Sequence, residues 1–392
     1  MKKKIAIITD IGFQKKEFDK LFISKLSEKF EIFIIDFTKI THPSLNIITK
    51  KNRIKLENFY EVNNYKDFEN FFLDNKFLTT LINITNYELN LKINNFFKKN
   101  SLSITLIQNH VVMRYKKKLS QKISNIFYTL LDKKRILEKI RLLLFVKKNT
   151  LPLTNIFVCG LKGLKNGSIG SHTNIIKSHS NEYDVHIRSK SNKGFLISKK
   201  EKYAIFLDQY LPFHTDAKLI KNLNRKVSEE KYYPALNSFF SLFEKYTKTR
   251  VIIAAHPKSD YDQKGKNFWY SRSYFKDKTY ELIRDSSYVL AHTSTSISYA
   301  VILNKPIIFL TSNEYIKSFD NFRVHAYANY FNQPLFNIDN LNNINFKSNL
   351  GDIDQKIYKE YFDDYIKYPG SSDSELSKIF INHFAGIGQK NI

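Results

Sequence analysis

Two groups of polar residues with the chemistry to bind a phosphate follow apolar runs in the C-terminal half of the chain. The first group is His256, Pro257 and Lys258, and the second is the hydroxyl cluster Thr293, Ser294, Thr295 and Ser296. An imidazole N–H and hydroxyl groups donate hydrogen bonds to phosphate oxygens. A hydroxyl cluster that opens a helix also brings unpaired backbone N–H groups and the positive end of the helix dipole. These residue types therefore predict an anion site that suits a phosphate.

The elements around both groups predict how they come together. Each group ends an apolar run of strand length, at 251–255 and at 286–291, and another such run starts at Pro306. Short apolar runs that alternate with helical segments are typical of a parallel, doubly wound α/β sheet. Ligands of such sheets bind beyond the carboxyl ends of the strands. We therefore expect His256 and the hydroxyl cluster to lie at the ligand edge of one sheet.

The rest of the chain shows the same alternation. Strand-like runs lie at 4–10, 31–37, 77–84, 103–108, 155–159 and 203–207, and helical stretches lie at 13–29, 87–99 and 226–248. The segment 355–384 also has helical stretches, which are broken at Pro369-Gly370. Ser228 is the expected N-cap of the helix over 226–248, and residues 371–373 are the expected cap of the last helix. Only Gly12 follows the first strand and no G-x-G-x-x-G is present, so a dinucleotide is not the expected ligand.

The order and spacing of these motifs resemble those of bacterial sialyltransferases and related CMP-sugar enzymes. That resemblance implies the GT-B architecture, in which two Rossmann-like α/β domains face each other across a cleft. In the family, His-Pro at a strand end and a Ser/Thr pair at a later helix hold the cytidine monophosphate of the donor. The matching positions here are His256-Pro257 and Ser294-Thr295, or Thr295-Ser296. Residues 286–310 are also similar, more weakly, to the equivalent segment of CDP-glycerol glycerophosphotransferases.

The resemblance implies a domain organisation and a reaction. Residues 1–195 would form an acceptor-side domain, 196–365 a nucleotide-sugar-binding domain, and 366–392 a C-terminal helix that crosses back to the first domain. The implied reaction is metal-independent, inverting glycosyl transfer. A CMP-activated acidic sugar, of the nonulosonic acid or Kdo type, would be moved to a glycan or lipid-linked glycan of a surface polysaccharide, lipopolysaccharide or capsule. The nucleotide-sugar is then a substrate, and no cofactor is expected.

The catalytic base is where the chain departs from that family. The sialyltransferases supply the base from a carboxylate-carboxylate-glycine motif in the first domain, and residues 1–195 contain no such triplet. Our catalytic candidates are Asp208, which follows a strand, Asp184 near the domain boundary, and His214. Each also has a structural interpretation, as a loop cap, a surface charge or a packed ring. Asp10, Asp36 and Glu182 are further carboxylates that could substitute for the missing motif.

Other polar motifs are interpreted as structural or remain open. The D-x-D formed by Asp260 and Asp262 lies in a polar loop after His-Pro, where we expect it to face solvent. His172, His179 and His186 lie seven residues apart, which does not suit a metal site. Trp269, Tyr270 and Arg272 either stack on a base or sugar or pack against their own domain.

The charge of the chain suits an anionic ligand. The formal net charge is +26, but the basic residues are spread along the chain and no zinc-finger or aromatic RNA-binding signature accompanies them, so nucleic acid is not the expected partner. The basic, amphipathic stretch 115–148 fits either peripheral contact with an anionic membrane or a domain helix with a solvated basic face. No apolar window is long enough for a signal peptide or a spanning helix, which predicts a cytoplasmic protein, with the inner membrane face as a second location.

Two other interpretations keep part of this reasoning. The same fold could use a UDP-sugar or CDP-glycerol donor, or act as a UDP-sugar 2-epimerase, because these enzymes share a similar strand-to-hydroxyl layout. A basic scaffold that binds nucleic acid or membrane would be no enzyme at all. It would show salt-sensitive binding to polyanions without a preference for free nucleotides.

Overall fold

A computed structural model describes most of the 392 residues. The described residues are 2–13, 15–43, 46, 56–83, 87–113, 153–165, 169–190, 197, 201–213, 227–265, 268–316, 321–346, 350 and 352–386. The chain divides into two compact units. The first comprises Met1–Val111, Lys116–Asp184 and Lys367–Ile392, and the second comprises Val112–Tyr115 and Val185–Ile366.

The first unit contains a seven-stranded parallel sheet with the order β3-β2-β1-β4-β5-β6-β7. Its strands are β1 (Lys3–Thr9), β2 (Phe30–Asp36), β3 (Phe59–Glu61), β4 (Phe77–Asn83), β5 (Ile104–Ile107), β6 (Asn155–Val158) and β7 (Asn174–Lys177). The described helices of this unit begin with α1 (Lys15–Lys20), α2 (Ile23–Lys29), α3 (Thr38–Thr41), α4 (Tyr65–Asp74) and α5 (Tyr87–Lys99). Strands joined through helices make the sheet parallel, as the alternation of apolar runs predicts.

Apolar residues cover both faces of this sheet. Alternate residues of β1 point to opposite faces, so that Ala6 and Ile8 join one buried cluster while Ile5 and Ile7 join the other. The second cluster also includes Phe380, which belongs to a helix at the far end of the chain and stacks on Phe157 with 5.3 Å between ring centroids. The core of the first unit is therefore completed by residues from both ends of the chain.

The second unit contains a six-stranded parallel sheet with the order β10-β9-β8-β11-β12-β13. Its strands are β8 (Tyr203–Leu207), β9 (Arg250–Ala254), β10 (Tyr274–Phe275), β11 (Tyr288–Ala291), β12 (Ile307–Thr311) and β13 (Leu335–Asn337). The helix α6 (Asn181–Ser189) contains the division between the units, and the described helices of the second unit are α7 (Glu229–Thr247), α8 (Thr279–Asp285), α9 (Ile297–Ile302), α10 (Asn313–Ile316), α11 (Asn321–Tyr330) and α12 (Gln355–Tyr361). The last described helix, α13 (Leu376–Ala385), belongs to the first unit.

The strand order of the second unit defines where a ligand would bind. The chain leaves β8 for β9 and β10 on one side and then returns to β11 on the other side of β8. The topological switch point therefore lies between β8 and β11. In open parallel sheets the crevice outside the carboxyl ends of two such strands is the ligand site.

The helices differ from the sequence-based expectations at three points. The helical stretch expected at 13–29 is divided into α1 and α2 by Phe22, whose φ of 46° is left-handed. Ser228 stands at the start of α7, but its hydroxyl donates to Glu314 at 2.9 Å and does not cap the helix. Residues 371–373 do not cap α13, because the Leu376 N–H donates to the Asp184 carboxylate at 2.7 Å.

The described residues also bear on membrane contact. Within them, no helix combines the length and the apolar character that crossing a bilayer requires. The basic stretch 115–148 lies outside the described residues, so its predicted membrane contact stays a prediction.

Candidate functional site

Four neighbouring strands of the second sheet end in polar residues at one edge. Asp208 follows β8, His256 follows β9 after one residue, His292 and Thr293 follow β11, and Thr311 ends β12. Because β9 and β11 both flank β8, His256 and the hydroxyl cluster lie on either side of the Asp208 loop. The structure thus brings together at one edge the two groups that the sequence analysis singled out.

Asp208 is a buried carboxylate that holds the loops of this edge. It is 7% exposed. Its Oδ1 accepts from the Tyr210 N–H at 2.8 Å, and its Oδ2 accepts from the His256 N–H at 3.1 Å and from the Tyr261 hydroxyl at 2.8 Å. Burial raises the pKa of the Asp208 carboxyl, although its hydrogen-bond donors act in the opposite direction. These contacts fit a positioning group, and the catalytic role expected for Asp208 stays a prediction.

The backbone and the ring of His256 are both held by hydrogen bonds within the protein. Its backbone N–H binds Asp208, and its Nδ1 accepts from the Lys258 N–H at 3.2 Å. An acceptor at Nδ1 puts the proton of the neutral imidazole on Nε2. The ring lies nearly parallel to that of Tyr210, at 11° and 6.3 Å between centroids. In the neutral ring Nε2 therefore carries the proton, and Pro257 and Lys258 are exposed.

The backbone beside Asp208 adopts an uncommon conformation. Tyr210 has a φ of 53°, in the left-handed region that a bulky side chain rarely occupies. Its hydroxyl donates to Asp260, and its ring packs against Phe213 at 4.9 Å between centroids. Strain of this kind persists where surrounding contacts fix the chain, and it concentrates at ligand sites.

Gln209 connects the loop after β8 to the hydroxyl cluster after β11. Its Oε1 accepts from the Thr293 N–H at 3.2 Å, and its Nε2 donates to the Thr293 hydroxyl at 3.4 Å. The Thr293 hydroxyl also lies 3.3 Å from the Tyr315 hydroxyl. Gln209 therefore spans the switch point and fixes Thr293, whose N–H is no longer available to a ligand.

The backbone N–H groups of Ser294, Thr295 and Ser296 differ in whether they are hydrogen-bonded within the protein. The Ser296 N–H donates to the Ser294 hydroxyl at 3.2 Å, while the carbonyls of Ser294 and Thr295 accept from the first turn of α9. Within the described part of the chain, the N–H groups of Ser294 and Thr295 donate to no protein acceptor. Thr295 is exposed and Ser296 is partly buried. Two backbone N–H groups and neighbouring hydroxyls form an arrangement that suits an anion.

His292, which precedes the cluster, is a buried structural residue. Its Nδ1 lies 2.6 Å from the Leu310 carbonyl and its Nε2 lies 2.6 Å from the Tyr232 hydroxyl. Burial lowers the pKa of His292 to about 4, so the ring is neutral at pH 7. It therefore donates to Leu310 and accepts from Tyr232, which ties β11, β12 and α7 together beneath the hydroxyl cluster.

The aromatic segment between the two motifs packs against its own unit, as one of the two interpretations predicts. Trp269 is 1% exposed and contacts Tyr233 and Tyr261 edge-on, both at 5.2 Å between centroids. Arg272 pairs with Glu244 through two nitrogens, with Nε donating to Oε1 at 3.0 Å and Nη2 donating to Oε2 at 2.8 Å. Tyr270 is the exception at 61% exposed.

The D-x-D carboxylates are engaged by tyrosines. The Tyr210 hydroxyl donates to Asp260, and the Tyr274 hydroxyl donates to Asp262 at 2.7 Å. Across the described ranges, no group of three or more His, Cys, Asp or Glu side chains lies close enough to hold a metal ion.

The carboxylates of the first unit also have partners. Asp184 is buried and accepts from the first N–H of α13, which makes it an anchor for that helix. Asp10 and Asp36 are fully buried, and Asp36 accepts from the Thr38 N–H at 2.8 Å. His214 lies outside the described residues. The catalytic roles of Asp184 and His214 stay predictions.

Sequence reasoning missed Gln209 and the tyrosines of this site. Gln209 could have been found, because it directly follows Asp208 at a predicted strand end. Tyr232 and Tyr233 could not have been found, because they lie on α7 among other aromatic residues. No local pattern indicates which strand ends their side chains contact. Tyr261 contacts Asp208 only because β8 and β9 are neighbours.

Two parallel sheets of this kind are typical of the two Rossmann-like domains of GT-B proteins. The fold therefore places the chain in the GT-B class. Neither a protein-family model nor a curated protein sequence matches the chain. Among solved structures, UDP-GlcNAc 2-epimerase from Neisseria meningitidis, bound to UDP-GlcNAc, is similar with a TM-score of 0.51 and 12% identity, over 98% of this chain and 100% of that chain. This likeness establishes the fold alone.

Two further solved structures match at lower TM-scores. The glycotransferase of kitacinnamycin has a TM-score of 0.45 and 9% identity, over 99% of this chain and 96% of that chain. Acinetobacter baumannii MurG has a TM-score of 0.41 and 8% identity, over 86% of each chain.

Proposed function

We propose that the chain is a nucleotide-sugar-dependent enzyme, and that it transfers the sugar to a hydroxyl acceptor as a glycosyltransferase. The observation that carries this proposal is that His256 lies at the same sheet edge as the N–H groups of Ser294 and Thr295, which donate to no acceptor among the described residues. These donors suit a phosphate oxygen on which negative charge develops as the sugar leaves. Donors that are fixed in advance stabilise such charge without reorganisation.

His256 and the cluster would act on the leaving nucleotide in different ways. The Nε2–H of His256 would donate to a phosphate oxygen, and a hydrogen bond to a charged acceptor of this kind is stronger than one to a neutral acceptor. The N–H groups of Ser294 and Thr295 would hold a second oxygen of the same phosphate. The net charge of +26 would draw an anionic donor toward the protein.

The donor proposed from the motifs is a CMP-linked acidic sugar, and the acceptor a glycan or lipid-linked glycan. A UDP-sugar enzyme, including a 2-epimerase, is the second proposal. The fold likeness to a UDP-GlcNAc 2-epimerase that was solved with its nucleotide-sugar favours this second proposal. The two differ in the nucleotide that the second unit binds, which can be measured without knowing the sugar or the acceptor.

Thermal unfolding with free nucleotides tests both proposals. CMP at about one hundred times its Kd should raise the Tm by roughly 5–10 °C, because a ligand at that excess stabilises the folded state by about 2.7 kcal/mol. Inorganic phosphate at the same concentration and ionic strength is the control for charge alone. A shift with UDP and UMP only would replace the CMP donor by a UDP-sugar, and no shift with any of CMP, CDP, UMP and UDP would contradict the proposed function.

Gln209→Ala should weaken nucleotide binding without unfolding the protein. The change removes both hydrogen bonds to Thr293, so the cluster loses its fixed position, and we expect the Kd of the bound nucleotide to rise about 5- to 10-fold. Titration calorimetry measures this directly. Gln333→Ala is a matched control, because Gln333 also donates one hydrogen bond, to the Asp352 carbonyl, but precedes β13 at the opposite edge of the sheet. Equal affinities for both variants would refute the role of Gln209.

A further inference from the structure

The imidazole of His179 is buried between two backbone carbonyl groups of the first unit. His179 lies just after β7, and none of its surface is exposed. Its Nδ1 lies 3.1 Å from the Ser180 carbonyl oxygen and its Nε2 lies 2.8 Å from the Ser374 carbonyl oxygen, both with hydrogen-bond geometry. A carbonyl oxygen only accepts hydrogen bonds, so both contacts are hydrogen bonds only when each ring nitrogen carries a proton.

A neutral imidazole cannot satisfy this environment, because one of its nitrogens carries a lone pair in place of a proton. A lone pair on Nε2 would leave the Ser374 carbonyl without a donor among the described residues. A lone pair on Nδ1 would face the oxygen of Ser180 at 3.1 Å, and that oxygen already accepts from the Asp184 N–H at 3.0 Å. Burial keeps water from replacing a lost hydrogen bond, so the surroundings of the ring fit its doubly protonated, positively charged form.

The ring of His179 joins the loop after β7 to residues 367–376, which we call the return segment. A backbone hydrogen bond accompanies this contact, because the Tyr368 N–H donates to the Ser178 carbonyl at 3.0 Å. The return segment leads into α13, whose Phe380 belongs to a buried cluster of the first sheet. His179 therefore lies where α13 is attached to the first unit.

The side chains around the ring include both signs of charge. Tyr183 packs edge-on against His179 at 5.1 Å between centroids, and its hydroxyl donates to Asp373 at 2.7 Å. Burial raises the pKa of the Glu182 carboxyl on α6. The buried Asp184 and Asp373 bring negative charge to this part of the unit, which favours the charged ring. The titratable side chains of the elements that pack here are Lys177 on β7, Glu182, Tyr183 and Asp184 on α6, Lys367, Asp373 and Glu375 on the return segment, and Lys25 on α2, which pairs with Glu375.

We propose that His179 is a pH-sensitive contact: with both ring nitrogens protonated it holds the return segment and α13 against the first sheet, and loss of one proton weakens that attachment. The step is an acid–base reaction in which one ring N–H bond breaks and the proton passes to water. The ring then has one donor for two carbonyl groups. The attachment of α13 is therefore expected to be tighter in acid than in base, with or without a bound nucleotide.

Nitrogen NMR of the ring tests the protonation state directly. In the full chain labelled with nitrogen-15 histidine, both ring nitrogens of His179 should show the protonated signature at about pH 7.5, where histidines of an unfolded chain are mostly neutral. The spectrum of His179→Gln assigns the signals, because it lacks those of one of the ten histidines. A neutral His179 ring in the folded wild type at this pH would overturn the proposal.

Stability against pH provides the second arm. A group that binds a proton more tightly in the folded chain stabilises the fold fully below its unfolded pKa, about 6.5 for histidine, and this contribution is lost as the pH rises through the folded pKa. His179→Gln, whose amide does not titrate and donates to one carbonyl, should therefore lower the Tm by roughly 2–4 °C at pH 6 and by less than half as much at pH 9. His172→Gln, which changes an exposed histidine shortly before β7, should leave the Tm unchanged at both values. A decrease for His179→Gln that is the same at pH 6 and pH 9 would show that the proton plays no part.

Amide hydrogen exchange locates the effect within the first unit. After correction for the intrinsic exchange rate, the Tyr368 N–H of the wild type should lose about tenfold of its protection between pH 6 and pH 9, because loss of one hydrogen bond shifts the opening equilibrium by about that factor. The amides of β1, in the middle of the same sheet, should keep their protection. His179→Gln should lack this pH dependence at Tyr368. An equal pH dependence in the variant and in the wild type would assign the change to another group and contradict the role of His179.

Discussion

Replacing His256 by alanine should reduce nucleotide-sugar turnover by about 10²- to 10³-fold, because one fixed donor to the developing phosphate charge is lost. The backbone N–H of residue 256 still binds Asp208 in this variant, so the loop after β9 keeps its anchor. The change thus separates the chemistry of the imidazole from the structure of the loop. Single-turnover release of the nucleotide measures the effect on the chemical step.

Two further variants make this result interpretable. His256→Asn keeps a side-chain acceptor for the Lys258 N–H but lacks a donor at the Nε2 position, so it should have the same low turnover with a Tm close to the wild-type value. His42→Ala changes the other His-Pro of the chain, at the end of α3, and should alter turnover less than twofold. Full turnover in His256→Ala would remove the phosphate role on which the proposed function depends.

Replacing Asp208 by alanine should lower the free energy of unfolding of the second unit by about 3–5 kcal/mol. The N–H groups of Tyr210 and His256 and the hydroxyl of Tyr261 would all lose their acceptor in a buried environment. Tyr261→Phe removes only one of these donors and should cost about 1–2 kcal/mol. Nucleotide binding should be lost together with stability in Asp208→Ala, because His256 depends on the same carboxylate.

The chain offers a local probe for this measurement. Trp269 is the single tryptophan, and it is buried against Tyr261 in the second unit. Urea unfolding followed by its fluorescence therefore reports on the unit that contains Asp208. If Asp208→Ala were as stable as the wild type and yet inactive, Asp208 would be a catalytic base as the sequence analysis predicted, and the positioning role inferred from its contacts would be wrong.

The sequence predicted the parts of the fold that follow from local patterns. The runs that became β8, β9, β11 and β12 are apolar, short and bounded by polar residues, so both their type and their carboxyl ends were recognisable. The placement of His256 and Thr293 at one edge then followed from the rule for parallel sheets. The GT-B fold class could be predicted from this pattern and from the order of the motifs.

The roles of individual carboxylates could not be predicted in the same way. Asp208 follows a strand and Asp184 lies in the first turn of α6, but the sequence does not reveal that the Tyr261 hydroxyl and the first N–H of α13 donate to these carboxylates. These partners are 53 and 192 residues away along the chain.

The packing of Phe380 in the core of the first unit has a consequence for vectorial synthesis on the ribosome. The hydrophobic layer that contains Ile5 and Ile7 is sealed by the ring of Phe380. This residue is translated after residues 203–337, the range that holds the described strands of the second unit. The second unit can therefore complete its sheet on the ribosome before the first unit completes its core, and until Phe380 is translated the first unit exposes an apolar face to chaperones.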